Sequence, residues 1–215
     1  MSSFYDQASL VVIPSGYKTG KVYAQKPLTT DGQLSFTRSN DTATRVGPDG
    51  LIEKVRTNSL LQSNSFDTAW TKTSTSVTSG QSGYDGSSDA WRLSETAVSG
   101  VHILFQTASS VTNYSFSIYL KSGTKNKVML FDGTNNAGVK FNLETQTFYS
   151  FYGVTIDYDI EILSDGWARY SISPKNTSSS FRLYLLNDLY DLSYLGDVAN
   201  NIYIQDAQLE QGLVA

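Results

Sequence analysis

From residue 59 onward the chain alternates apolar and polar side chains in short runs. Tyr114, Phe116, Ile118 and Leu120 fall on one side of a run, with Ser115, Ser117 and Tyr119 on the other. Val139, Phe141 and Leu143 alternate in the same way with Lys140, Asn142 and Glu144. The most regular run is Val154, Ile156, Tyr158, Ile160 and Ile162, with Thr155, Asp157, Asp159 and Glu161 between. A period of two held over that length predicts a half-buried strand with one apolar and one acidic face. Turn-forming clusters separate the runs: Ser82-Gly83-Tyr84-Asp85-Gly86, Lys121-Ser122-Gly123, Asp132-Gly133-Thr134-Asn135-Asn136, Ser164-Asp165-Gly166 and Ser173-Pro174-Lys175-Asn176. Many short strands punctuated by turns predict an antiparallel sandwich or barrel. Leu185, Leu186, Leu189 and Leu192 have helical spacing, but Asp188, Asp191, Ser193 and Gly196 favour a strand followed by a loop.

Residues 1–58 read differently. Ala8 to Ile13 is a short apolar run that Pro14-Ser15-Gly16 is expected to end as a turn. Leu34 to Arg38 alternates as a half-buried strand, and Ala43–Val46 and Leu51–Val55 flank Gly47-Pro48-Asp49-Gly50, a strong hairpin signal. The predicted architecture is all-β: an extended, hairpin-bearing N-terminal leader over 1–58, then an antiparallel β-sandwich over 59–215. The leader has too few apolar residues for a core of its own. Its islands at Leu10–Ile13, Leu34 and Phe36, and its strand edges near Asp49-Gly50, call for a partner, so a homo-oligomer is expected.

Composition narrows the chemistry. The chain has 215 residues, no Cys and one His, which closes disulfides, thiolate metal sites and Cys–His or paired-His mechanisms. Residues 1–58 hold seven Lys/Arg against five Asp/Glu, and the rest holds nine against fifteen, so a leader of +2 precedes a body of −6. An acidic body disfavours nucleic acid, whose phosphates need clustered cations. No run approaches the ~18 apolar residues of a membrane-spanning helix, and the N-terminus lacks the basic region of a secretory signal. No partner of either kind, nucleic acid or membrane, is expected.

The remaining groups are read for what each could do. His102, in Val101-His102-Ile103-Leu104-Phe105, shares a strand face with Leu104 and has no catalytic neighbour in sequence, so a structural or exposed role is expected. Asp157, Asp159 and Glu161 read as the solvated face of a strand rather than a glycosidase pair. Asp206, Gln208 and Glu210 form a similar series, in which Asp206 and Glu210 are the candidate Ca²⁺ ligands; otherwise no cofactor is expected. Trp70, Trp91 and Trp167 are expected in the core. Tyr149 and Tyr152, in Phe148-Tyr149-Ser150-Phe151-Tyr152, are the candidate exposed rings, suited to stacking a sugar or packing an interface. No catalytic centre is expected.

Ser9-Leu10-Val11-Val12-Ile13-Pro14-Ser15-Gly16-Tyr17-Lys18-Thr19-Gly20-Lys21-Val22-Tyr23, with Leu34-Ser35-Phe36-Thr37-Arg38, Ala43-Thr44-Arg45-Val46 and Gly50-Leu51-Ile52-Glu53, resembles the leader of a family of tailed-bacteriophage virion proteins. Ser59-Leu60-Leu61-Gln62-Ser63, Trp70-Thr71-Lys72, Gly83-Tyr84-Asp85-Gly86 and Ala90-Trp91-Arg92-Leu93 are similar to the phage head-spike or head-fibre domain. Asp165-Gly166-Trp167-Ala168-Arg169-Tyr170 and the stretch Ile202 to Glu210 resemble carbohydrate-binding-module-like jelly rolls of phage structural proteins. The resemblance implies a jelly roll, no enzymatic activity and a place on the virion surface after synthesis in the bacterial cytoplasm. It implies a capsid decoration, auxiliary or head-fibre subunit docked on a virion protein, commonly as a trimer, through leader residues such as Ile13, Tyr17, Tyr23, Arg38 and Arg45. The alternative it leaves open is a receptor- or mucus-binding glycan module working through rings such as Tyr149 and Tyr152.

Overall fold

The computed structural model describes residues 58–211 throughout and, ahead of them, the strand segments 11–18, 21–26, 34–35, 44–46 and 52–54. The chain divides into two compact units, Met1–Val55 and Arg56–Ala215. In the first, β1 (Val11–Lys18), β2 (Lys21–Lys26) and β3 (Leu34–Ser35) form an antiparallel sheet in that order, and β4 (Thr44–Val46) pairs with β5 (Ile52–Lys54). Pro14-Ser15-Gly16 does not end the first run, contrary to the sequence expectation. β1 continues through it, with Val12 opposite Ala24 and Tyr17 opposite Val22, so the surplus residues are taken up as an irregularity within the strand. A proline has no N–H to give to a ladder, which suits it to such a position.

The second unit is all strand and turn, with no helix among the described residues. Its strands are β6 (Thr71–Thr73), β7 (Thr75–Gln81), β8 (Ala90–Glu95), β9 (Ser99–Thr112), β10 (Tyr114–Ser122), β11 (Lys127–Asp132), β12 (Ala137–Asn142), β13 (Thr147–Gly153), β14 (Asp157–Ile162), β15 (Trp167–Ser173), β16 (Thr177–Leu185), β17 (Ser193–Leu195) and β18 (Asn201–Gln211). They make two antiparallel sheets, ordered β14-β15-β10-β18-β8-β7 and β13-β12-β11-β16-β9-β17, with β6 also paired to β9. Within these, the quartets β15-β10-β18-β8 and β12-β11-β16-β9 have jelly-roll connectivity. The first strand of the quartets, β8, lies beside the last, β18, and the chain changes sheet at each step from β8 to β11. β7, β13, β14 and β17 extend the quartets.

The two sheets meet across one apolar layer, and alternation decides who enters it. Tyr114, Phe116, Ile118 and Leu120 of β10 are fully buried there, facing Val128 and Leu130 of β11, Val139 and Phe141 of β12 and Leu183 and Leu185 of β16. Trp70, Trp91 and Trp167 are all buried. His102 is buried beside the layer, its Nδ1 2.8 Å from the Ser74 carbonyl oxygen and its Nε2 3.4 Å from that of Tyr194. The imidazole thus staples β9 to the β6–β7 junction and to β17. It needs glycine opposite, since a Cβ on Gly196 would come within 2.3 Å of the ring.

The run Val154–Ile162 is half-buried only in its middle, where the Tyr158 ring stacks on Phe148 of β13 at 4.8 Å. β13 ends at Gly153, β14 begins at Asp157, and β14 is an edge strand paired only with β15. Ile156 and Ile160 pack against the core, but Val154 and Ile162 are 59% and 64% exposed. Perfect alternation identified a strand, but it carries no information on how far along a second sheet covers that strand's apolar side. The ambiguous stretch resolves as strand then loop, with β16 ending at Leu185 and a turn before β17.

Candidate functional site

The outer faces of the two sheets carry the side chains that could meet a ligand. On β13, Lys140 lies opposite Ser150 and Phe141 opposite Phe148, so Tyr149 is the extra residue of a bulge. A bulge re-aims side chains. Phe148 and Phe151 both turn inward to the core layer, while Tyr152 joins an apolar cluster on the opposite side of the sheet with Phe131, Tyr184 and Tyr190. This is how two rings three residues apart come to share one face of a strand.

Tyr149 is 53% exposed and lies flat on Tyr190, with ring centroids 3.6 Å apart and planes within 2°. Tyr190 comes from the β16–β17 loop, with φ of 62°. A bulky residue there needs its surroundings to hold it. Asn187 does so in part: its Oδ1 accepts from the Leu189 and Asp191 amides at 2.9 and 2.8 Å, and its carbonyl accepts from Tyr190 N at 3.0 Å. The Lys140 Nζ donates to the Tyr190 carbonyl at 3.0 Å and lies 5.8 Å from the Tyr152 ring centre. Across the sheet, Tyr152, Gly138, Phe131, Arg182 and Phe105 stand in one row. Gly138 lets the Tyr152 and Phe131 rings meet edge to face at 5.7 Å, because a Cβ would fall 2.9 Å from Phe131. The Arg182 guanidinium lies 5.8 Å from the centres of both the Phe105 and Phe131 rings.

The six-stranded sheet repeats the device with opposite charge. Tyr84, from the β7–β8 loop, stacks on Tyr119 of β10 at 3.8 Å and 9°. Its hydroxyl donates to Asp206 Oδ2 at 3.2 Å, and burial, with Tyr119 and Asp206 beside it, pushes the phenol above its ordinary range. Gln205, fully buried, donates to Asp85 and Asp89 of the same loop at 3.3 and 2.7 Å. Arg169 bridges Ser117 and Gln208 at 3.0 and 2.8 Å.

The sequence expectations distribute unevenly over this geometry. Asp206 and Glu210 do not form a simple alternating series. Ser117 faces Gln208 and Tyr119 faces Gln205, so β18 carries a bulge at Asp206, whose φ is 45°. Ile202, Ile204, Ala207 and Leu209 point into the core, changing parity at that bulge. Among the described residues no group of three or more His, Asp or Glu is placed to hold a metal ion. Asp157, Asp159 and Glu161 are exposed on the edge strand, and Asp157 pairs with Lys175 at 3.6 Å beside a recess of about 160 Å³. In the leader, Ile13 and Tyr17 lie on β1, Tyr23 on β2, and Arg45 on β4 opposite Glu53; Arg38 lies outside the described residues. Sequence reasoning passed over Tyr84, Tyr119, Tyr190, Lys140 and Arg182. Tyr84 and Tyr190 sit in turn-forming stretches, where no periodicity shows which way a ring will fold.

Asp206 has a pH signature. Burial, with Asp89 and Asp85 nearby, holds its carboxyl above the usual carboxylate range, against the lowering effect of the Tyr84 hydroxyl. The folded state therefore binds this proton more tightly than the unfolded state does. The group costs stability above its folded pKa, and that cost is relieved as pH falls. Asp85, held low chiefly by the Ser87 side chain, acts in the opposite sense, so the readout is the difference between wild type and variant. Asp206→Asn keeps an acceptor for Tyr84 and tolerates the positive φ. It is expected to raise stability by about 0.5 kcal/mol at pH 7, the upper range for a partly exposed position. The gain should vanish as pH falls to about 3, where the Asp206 carboxyl is largely protonated in the folded and the unfolded state alike. Urea titrations at stepped pH check this, and a gain independent of pH would refute the account.

Set beside known proteins, the chain matches no family model and no curated protein.

Proposed function

We propose that the chain is a structural protein of a tailed-bacteriophage virion, a capsid decoration or head-fibre subunit held by its N-terminal segment and presenting the sandwich. The observation that carries this reading is the division into two compact units, Met1–Val55 and Arg56–Ala215, the second closed around its own continuous core. A small strand-paired unit ahead of a self-sufficient sandwich suits an anchor and a projecting module. The phage setting itself rests on the resemblance of residues 9–53. We propose further that the protein acts as a homotrimer, since three linked anchors can gain ~10²–10⁴ in avidity over one.

Deleting residues 1–55, the first compact unit, tests the reading on the virion that carries the chain. Association with particles should fall at least a hundredfold, while the truncated protein keeps the β-type circular dichroism of the sandwich. The full chain should sediment as a multimer. A truncated protein that still decorates particles would place the anchor on the sandwich.

A second reading, a glycan-binding module, is favoured by the Tyr149–Tyr190 stack, which leaves a large ring half exposed on a sheet face already rich in aromatics.

A further inference from the structure

We propose that the outer face of the seven-stranded sheet binds an acidic saccharide, with Tyr149 and Tyr152 supplying stacking surfaces and Lys140 and Arg182 supplying the charge. The proposal rests on the glycan-binding reading and gives it a place and a ligand class.

Charge decides the class. The chain from residue 59 on carries a net −6, yet the strand positions of this face hold Lys127, Lys140 and Arg182 and no carboxylate. Lys127 has an acidic neighbour in the flanking loop, Asp188, at 3.8 Å. Lys140 donates to a carbonyl oxygen, and Arg182 donates to Ser180 Oγ at 3.1 Å and to the Tyr184 hydroxyl at 3.4 Å. Among the described residues neither Lys140 nor Arg182 has a carboxylate within ion-pair distance. Two cations with neutral acceptors, lying against Tyr152, Phe105 and Phe131, retain the capacity to bind an anion. The opposite outer face has the same architecture of a loop tyrosine stacked on a strand tyrosine, but there Asp85, Asp89 and Asp206 outnumber the cation against the stack, Arg169, whose guanidinium lies 5.8 Å from the Tyr119 ring centre. The edge strand beside it exposes Asp157, Asp159 and Glu161. An anionic ligand is therefore steered away from one face and toward the other.

Shape decides that the anion is a sugar. Tyr190 covers one side of the Tyr149 ring, and 53% of Tyr149 is exposed. A flat ring presented to solvent packs against the C–H face of a pyranose, while a carboxylate or sulfate on that pyranose reaches the Lys140 ammonium; Arg182, three strands away at ~5 Å per strand, would meet the acid group of a further sugar in the same chain. Nucleic acid would need a larger cationic surface than three side chains on an acidic body supply.

The full-length chain is tested by affinity electrophoresis in polygalacturonate, hyaluronate and polysialate, with dextran and galactomannan as neutral counterparts. Retention is expected in at least one acidic polymer and in neither neutral one, and it should weaken as salt rises. Tyr149→Ser and Lys140→Gln should each weaken it by about tenfold. Two variants are used so that a local packing defect in one does not decide the result. Retention by neutral polymers alone would overturn the acidic assignment and leave the glycan-binding reading standing. Retention by none would overturn both. Undiminished retention in both variants would place the site elsewhere. Loss of a sedimenting multimer in Tyr149→Ser, with no glycan retained by the wild type, would give this face to a second copy of the chain instead.

Discussion

Asp132→Ala is expected to destabilise the sandwich by ~3–5 kcal/mol. Asp132 closes β11 and is fully buried on the side that faces the other sheet. Its Oδ2 accepts from the Tyr114 hydroxyl at 2.7 Å and Asn135 Nδ2 at 2.6 Å, and its Oδ1 from the Thr134 and Asn135 amides at 2.9 and 3.2 Å and Ser178 Oγ at 2.5 Å. One carboxylate thereby joins β10 in one sheet to β11, β16 and the β11–β12 turn in the other. An ionised carboxylate accepts only, and every partner here donates. Alanine leaves the Tyr114 and Ser178 hydroxyls without this acceptor in a closed site, and it frees the Thr134 and Asn135 amides and the Asn135 side chain at the half-open turn. Asp132→Asn keeps the shape but sets an NH₂ against donors, and should lose about half as much. Tyr114→Phe removes one bond and should cost about 1–1.5 kcal/mol. Urea unfolding reads all three as shifts in midpoint at constant slope. A loss under 1 kcal/mol in Asp132→Ala would show that the turn is held by its backbone alone.

That carboxylate marks a limit of sequence reading. Asp132-Gly133-Thr134-Asn135-Asn136 is legible as a turn, because Asp, Asn and Gly favour turns for local reasons. Which turn aspartate will be buried against a tyrosine of the facing sheet depends on a partner distant in the chain. The regular faces were legible for the converse reason. In β10 and β12 a strict period of two meets a covering sheet, and Tyr114, Phe116, Ile118, Leu120, Val139 and Phe141 are all buried together. Where the backbone breaks period, the reading breaks with it. Bulges at Tyr149 and Asp206 shift the parity of β13 and β18, and the irregularity near Pro14 carries β1 through an apparent turn. Tyr149 and Tyr152 were legible as exposed-ring candidates, but not the loop ring of Tyr190 that stacks on the first, nor the cations that give their face its sign.

Phe66→Ala is expected to cost ~3–5 kcal/mol, although Phe66 lies in no strand. The segment from Asn58 to Trp70 spans both sheets before the first of their strands begins. Asn58 donates through Nδ2 to the Ala207 carbonyl at 2.9 Å and accepts from the Leu209 amide at 2.9 Å, and Ser59 N donates to the Leu209 carbonyl at 2.8 Å, all on β18. Leu61 exchanges two hydrogen bonds with the buried Gln106 side chain of β9, at 2.7 and 2.9 Å. The segment therefore closes the gap between the sheets at β18 and β9. Phe66 is its apolar anchor, with no exposed surface and its ring 5.1 Å from Trp70 and 6.3 Å from Trp91. Both indoles are turned to serve the same segment, Trp70 Nε1 donating to the Gln62 carbonyl at 3.2 Å and Trp91 Nε1 to that of Asn64 at 2.9 Å. Truncating Phe66 opens a cavity between two tryptophans whose nitrogens are already committed, so they have little freedom to collapse into it. Phe66→Leu fills most of the space and should cost about 1–1.5 kcal/mol. Hydrogen exchange separates this account from a general loss of stability: in Phe66→Ala the Ser59, Leu61 and Ala207 amides should lose protection before those of β10 and β11. If all of these amides exchange together, or if unfolding shifts by less than 1.5 kcal/mol, the segment is a surface strap and not part of the core.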